Sequence, residues 1–178
     1  MNVGLPPYVY GAGGKFGYPN DAMETPDTLM ATYKYPDLNI IWDHACGIGN
    51  GLFGLREGVV FYGENGTMIL TRKGWEVQPE QAINSRSFPY CYPCDEEKKP
   101  NTLRMEPVEM KQGTGKGLYL HAGNTLDCIR TRKLPNCDIA IGAEVAKLSH
   151  ITNISSRVGE ALRWDNEESA FIDHKEAN

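Results

Sequence analysis

The run Arg56–Glu80, REGVVFYGENGTMILTRKGWEVQPE, restricts the fold more than any other part of this chain. Val59-Val60-Phe61-Tyr62, Thr67 to Thr71 and Trp75 to Val77 are short, β-branched and aromatic segments separated by turn residues. Such segments suit a pleated surface and read as three consecutive strands. Asn65-Gly66 between the first two predicts a type I′ hairpin turn, because both residues tolerate positive φ. Strands joined so tightly must run antiparallel. The helical patterns come only after residue 117, and strands first with helices last predict an α+β fold: one open, mostly antiparallel sheet with helices on one face.

The segment before this run adds three strands. Tyr8 to Phe16 alternates loosely and ends in glycines, and Gly17 to Asp27 is an acidic, turn-rich connection. In Thr28 to Tyr35, Leu29, Ala31 and Tyr33 alternate with Met30, Thr32 and Lys34, so one face is apolar. Pro36-Asp37 turns the chain into a further strand, Leu38 to Cys46. Gln81 to Gly117 is polar, proline-bearing and weakly periodic, which predicts a loop excursion within a single domain spanning 1–178.

Two helices follow. Ala122, Leu126 and Ile129 share a stripe in the first, and Arg130, Arg132 and Lys133 suit its C-terminus. Leu134-Pro135-Asn136 breaks it, and Asp138 is placed to cap the second. There Ile141, Val145, Leu148, Ile151, Ile154, Val158 and Leu162 recur every three or four residues, predicting a helix that runs on to Arg163-Trp164-Asp165 with Gly159 weakening its end. Phe171-Ile172 reads as a short edge strand.

Composition narrows the function classes. Forty per cent hydrophobic and 23% charged residues suit a globular protein, and a net charge of -5 disfavours a nucleic-acid partner. No apolar run approaches the roughly 20 residues that span a bilayer, and Met1 to Pro7 lacks the features of a signal peptide. Cys46, Cys91, Cys94, Cys128 and Cys137 show no disulfide-framework spacing, which favours a reducing, cytoplasmic setting. Asn65-Gly66-Thr67 and Asn153-Ile154-Ser155 match a glycosylation pattern, but one falls in the hairpin and the other in a helix.

Several motifs invite chemistry that their surroundings do not support. Gly49-Asn50-Gly51-Leu52-Phe53-Gly54 has the letters of the dinucleotide fingerprint, yet the β-branched run after Arg56-Glu57-Gly58 leaves no helix to face a pyrophosphate. Gly113-Thr114-Gly115-Lys116-Gly117 lacks Walker spacing and reads as a loop entering a helix. Cys91-Tyr92-Pro93-Cys94 is spaced like a redox pair or half a zinc site, but Asp95-Glu96-Glu97 would raise the thiol pKa, and no second spaced pair completes a metal site. No metal is expected. His44, beside Trp42 and Asp43 on a strand, is a candidate substrate contact or acid/base group, or else a structural histidine. Trp42, Tyr62 and Trp75 are candidate sugar-stacking surfaces.

FYGENGTMILTRKGWEVQPE resembles a hairpin of the glucose-fructose oxidoreductase and inositol dehydrogenase family (Gfo/Idh/MocA). NTLDCIRTRKLPNCDIAIGAEVAKLSHITNISSRVGEALRWD is similar to that family's closing helices, and GGKF followed by ETPDTLMATYKYP to the first strands of its C-terminal domain, particularly among bacterial members. The resemblance implies a C-terminal domain with a large antiparallel sheet, helices on one face, and the other face joining subunits into a homo-oligomer. It further implies hydride transfer between NAD or NADP and a sugar, cyclitol or related polyol, with the cofactor held on an N-terminal Rossmann domain that this sequence lacks. The family's catalytic lysine and histidine motifs are also missing, since Glu97-Lys98-Lys99-Pro100 follows the strands in a polar excursion. No catalytic residue and no cofactor-binding residue is therefore assigned. Lys15, His44 and Arg56 are the residues expected on the substrate side. The alternatives are a non-catalytic module that dimerises or binds partners through its sheet, and a carbohydrate-binding or NAD-assisted glycoside-cleaving module.

Overall fold

A computed structural model describes residues 4–80 and 103–178. The strands are β1 (Tyr8–Gly14), β2 (Thr28–Lys34), β3 (Asn39–Ala45), β4 (Val59–Tyr62), β5 (Gly66–Thr71), β6 (Gly74–Pro79), β7 (Val108–Gln112), β8 (Leu162–Asp165) and β9 (Ala170–Phe171), and the helices are α1 (Gly117–Thr131) and α2 (Ile139–Val158). Every strand pairing is antiparallel. The α+β class expected from the element order is the one found.

The expected single sheet is instead two, ordered β3-β2-β1-β8-β9 and β4-β5-β6-β7. The chain divides into two compact units, Met1–Gly49 with Asp127–Asn178, and Asn50–Leu126. A local strand pattern cannot distinguish one sheet from two, because both satisfy the same alternation.

In the first unit, Leu29, Ala31 and Tyr33 of β2 are buried while Met30, Thr32 and Lys34 are exposed, as their alternation predicts. The core joins Val9, Leu29, Ala31, Tyr33, Tyr35, Ile151, Leu162 and Phe171. The helix α2 lies on this face, and two polar links fix it there. Ser155 Oγ accepts from the Gly11 N–H at 3.1 Å, and the Tyr33 hydroxyl meets Thr152 Oγ1 at 2.8 Å. Burial pushes the Tyr33 hydroxyl pKa up, with the Thr152 hydrogen bond opposing the shift. The approach is close because Gly11 has no side chain: a Cβ there would lie 2.9 Å from the Thr152 carbonyl oxygen. Only the C-terminal half of α2 is used in this way. Ile151 is buried and Leu148 and Ile154 pack beside the core, whereas Ile141 and Val145, earlier in the same stripe, are exposed.

Asp138 caps α2 as expected, its Oδ1 accepting from the Ile141 N–H at 3.0 Å. The far end departs from expectation. Gly159 adopts φ 79°, its N–H bonds to the Ser155 carbonyl, and the helix stops there. A left-handed glycine is a common helix terminator. Leu162 therefore belongs to β8, where it pairs with Val9, and does not continue the helix to Asp165. The spacing from Val158 to Leu162 is four residues, which a helix and a turn into a strand satisfy equally well. Phe171 forms the edge strand β9, its ring meeting Trp164 edge-on at 5.0 Å. The Asn178 side-chain amide closes that edge by pairing with both the N–H and the C=O of Phe171.

In the second unit, β4, β5 and β6 occupy the run that set the fold class. The connection from Tyr62 to Thr67 is not type I′. Neither Asn65 nor Gly66 has positive φ, and Gly63 donates to the Gly66 carbonyl across a longer loop. Gly66 is already part of β5, pairs with Pro79, and sits where a Cβ would meet the Gln78 carbonyl oxygen at 2.8 Å. The expected excursion contains a strand: β7 pairs with β6. Its residues are mostly exposed, so it carries little of the apolar alternation that marks a strand.

The helix α1 starts after the Gly113–Gly117 loop as expected, but its stripe buries nothing: Leu126 and Ile129 are exposed. No helix among the described residues is long and apolar enough to cross a membrane.

Candidate functional site

One end of the first unit carries charged groups, Lys15 and Asp21, beside exposed Phe16, Tyr18 and Ile48. Gly14 of β1, Thr28 of β2 and Ala45 of β3 are register partners, so the loops leaving β1 and β3 emerge at the same end of the sheet. They approach closely, and a Cβ on Gly17 would lie 3.5 Å from the Gly47 Cα.

Asp27 organises this end. Its side chain is fully buried and accepts from the N–H groups of Phe16 (3.0 Å), Gly17 (3.1 Å) and Tyr18 (2.7 Å) and from the Thr28 hydroxyl (2.8 Å). The Asp27 carbonyl in turn accepts from the Cys46 N–H at 2.9 Å. Burial alone would push the carboxyl pKa up, but the Tyr18 and Gly17 N–H groups, the Thr28 hydroxyl and the Phe16 N–H hold it well below the usual carboxylate range. As sequence, Thr25-Pro26-Asp27 reads only as turn punctuation. The available signal is an Asp immediately before a clean strand, a residue type that readily satisfies nearby backbone donors.

A carboxyl with a depressed folded-state pKa stabilises the fold in full above its unfolded pKa of about 3.9, and that contribution is lost as pH falls toward the folded value. Asp27→Asn is accordingly expected to lower the urea midpoint at pH 7, with the gap to the native protein narrowing on acidification below about pH 4. Denaturation curves at neutral pH and near pH 3 test this. A gap independent of pH would show that the Asp27 charge plays no part.

Two of the sequence-derived site residues lie at this end. Lys15 is engaged locally, its Nζ 2.6 Å from both the Asp21 carboxylate and the Asp21 carbonyl. His44, on β3 opposite Leu29, is exposed and its Nε2 lies 3.4 Å from Cys46 Sγ. Arg56 belongs to the second unit and is exposed, one residue before the Glu57 carboxylate that pairs with Arg72 at 3.1 Å. Of the aromatic candidates, Trp42 is exposed in the first unit, and Tyr62 and Trp75 are exposed in the second.

The opposite face of the first sheet, bearing Tyr8, Tyr10, Met30, Thr32 and Ile41, is open. Met30 is 57% and Ile41 68% exposed. Lys34 and Arg163 flank the Tyr8 ring at 5.7 and 5.9 Å. These cations border the apolar residues on the same face.

The nucleotide-like motif takes the form its context suggests. After Gly51 the chain makes a three-residue 3₁₀ turn, Leu52–Gly54, with Phe53 at φ 57°, and proceeds to the antiparallel strand β4. A single turn presents no helix N-terminus to a pyrophosphate, so this loop does not fit a dinucleotide. Cys91 and Cys94 lie outside the described residues, and among the described residues no three His, Cys, Asp or Glu side chains gather to hold a metal. No protein-family model, curated protein or solved structure matches this chain.

Proposed function

We propose that this chain is the substrate-binding and oligomerisation part of an NAD(P)-dependent oxidoreductase acting on a sugar, cyclitol or related polyol. The observation that carries the reading is the five-stranded antiparallel sheet, which α2 covers on one face while Met30 and Ile41 are exposed on the other. The exposed face offers a surface for a second subunit, and the end of the sheet bearing His44 and the Lys15–Asp21 pair offers polar groups for a hydroxylated substrate. The ordered motifs of the sequence lend support from an independent direction. His44, in the first unit, is the assigned hydrogen-bonding contact. Lys15, held by Asp21, orders the loop beside His44. The Gly49–Gly54 loop does not fit the nucleotide, so the reading places NAD or NADP on a separate Rossmann domain, and no chemical step is assigned to this chain alone.

The open face also favours a second reading, a non-catalytic module that pairs through its sheet, because Tyr10, Met30 and Ile41 expose apolar surface together. One experiment separates the two. The isotopically labelled chain is titrated with myo-inositol, glucose, NAD and NADP, and its sedimentation is measured alongside. The oxidoreductase reading expects amide shifts around His44 with millimolar polyol and no tight nucleotide binding. Nucleotide binding at micromolar or tighter concentration would overturn it. Dimers that ignore every polyol would favour the non-catalytic module.

A further inference from the structure

We propose that His44 and Cys46 form a thiol–imidazole pair that makes Cys46 a site of reversible mixed-disulfide formation with small disulfides. The observation is the 3.4 Å approach of His44 Nε2 to Cys46 Sγ, with both residues exposed. His44 is the penultimate residue of β3 and Cys46 the first residue of the turn that follows, so the pair sits where the strand gives way to the turn. The backbone is held on both sides of the pair. His44 is in register with Leu29, Ala45 with Thr28, and the Cys46 N–H is bonded to the carbonyl of the buried Asp27. Among the described residues, Cys128 and Cys137 have no imidazole partner, although Cys137 is equally exposed.

The chemistry is that of a thiol beside a base. With its ring proton on Nδ1, His44 offers Nε2 as an acceptor, and the thiolate, not the thiol, is the nucleophile. The S–H proton passes to Nε2 as the Cys46 sulfur attacks one sulfur of a small disulfide. A new S–S bond forms, the old one breaks, and its electron pair leaves with the departing sulfur, which takes up the proton. Cys46 is oxidised, and the small disulfide, acting as oxidant, is reduced to one mixed-disulfide partner and one free thiol. A free thiol in excess reverses the exchange.

The pair stands apart from the polyol reading, since its test reads the mass of a modified cysteine and needs no substrate. The full chain is incubated with oxidised glutathione at pH 7, and modification of each cysteine is followed by peptide mass spectrometry. Cys46 is expected to react faster than Cys137. In His44→Gln its rate should fall on the order of tenfold, as removal of an adjacent proton acceptor implies, with Cys137 unchanged. Added imidazole should restore part of the rate in His44→Ala. Equal Cys46 rates in the native protein and His44→Gln would overturn the pair, and so would a native Cys46 slower than Cys137. The unchanged Cys137 rate and a native circular-dichroism spectrum show that the variants remain folded.

Discussion

Leu162→Ala is expected to destabilise the first unit by about 3 kcal/mol, the middle of the range for truncating a buried leucine. Leu162 is 2% exposed, pairs with Val9 across β1 and β8, and belongs to the cluster that includes Ile151 and Phe171. Truncation removes apolar contact and leaves a cavity that two paired strands cannot easily close. The comparison that makes the test specific is Val145→Ala. Val145 shares the helical stripe in sequence but is exposed, so its truncation should change stability by no more than about 0.5 kcal/mol. Chemical denaturation of both variants decides the matter. Similar losses at the two positions would mean that the whole stripe is buried, contrary to the packing of α2 on the sheet.

The second large effect is expected at Gly11. A Cβ there would meet the Thr152 carbonyl oxygen at 2.9 Å, Thr152 Cγ2 at 3.3 Å and Ser156 Cβ at 3.4 Å. The obstructing oxygen is helix backbone and cannot rotate away. Gly11→Val should push α2 off the sheet, costing about 2–3 kcal/mol by overpacking. The shift would also stretch the Ser155–Gly11 and Tyr33–Thr152 hydrogen bonds, both of which tie α2 to the sheet. Gly11→Ala should be milder but of the same sign. In Gly11→Ala, faster exchange of the backbone amide hydrogen at position 11 would report the loosened contact directly. A valine variant as stable as the native protein would show that α2 does not bear on β1 in solution.

How much of this was legible in the residues differs from element to element. The alternation of Leu29, Ala31 and Tyr33 identifies the buried face of β2, and Asp138 identifies the start of α2. Both signals act over a few residues, where side-chain periodicity and backbone capping are dictated by neighbours in the chain. Gly159 marks a weak point in the helical pattern, but whether a glycine bends, weakens or ends a helix depends on where the residues beyond it can pack. Here Leu162 has a place opposite Val9, and the helix gives way to a strand. At the candidate site, His44 can be picked out by residue type and strand position. Its partnership with Cys46 depends on the turn that begins just past β3, and the engagement of Lys15 by Asp21 on how one loop folds back. The role of Asp27 is hidden in the sequence because three of its donors, the Phe16, Gly17 and Tyr18 N–H groups, are assembled by the loop it organises.

By itself the sequence determined the α+β class, the antiparallel direction of the strands and the face that β2 buries, because each arises from patterns within a few consecutive residues. The tertiary structure alone decided that the strands make two sheets, that β7 and β8 exist, that α1 and the first half of α2 keep their apolar residues exposed, and that Gly11 must be glycine. Those outcomes depend on pairings between residues far apart in the chain, such as Gly11 with Ser155, and no local periodicity encodes which distant surface will arrive to cover a given face.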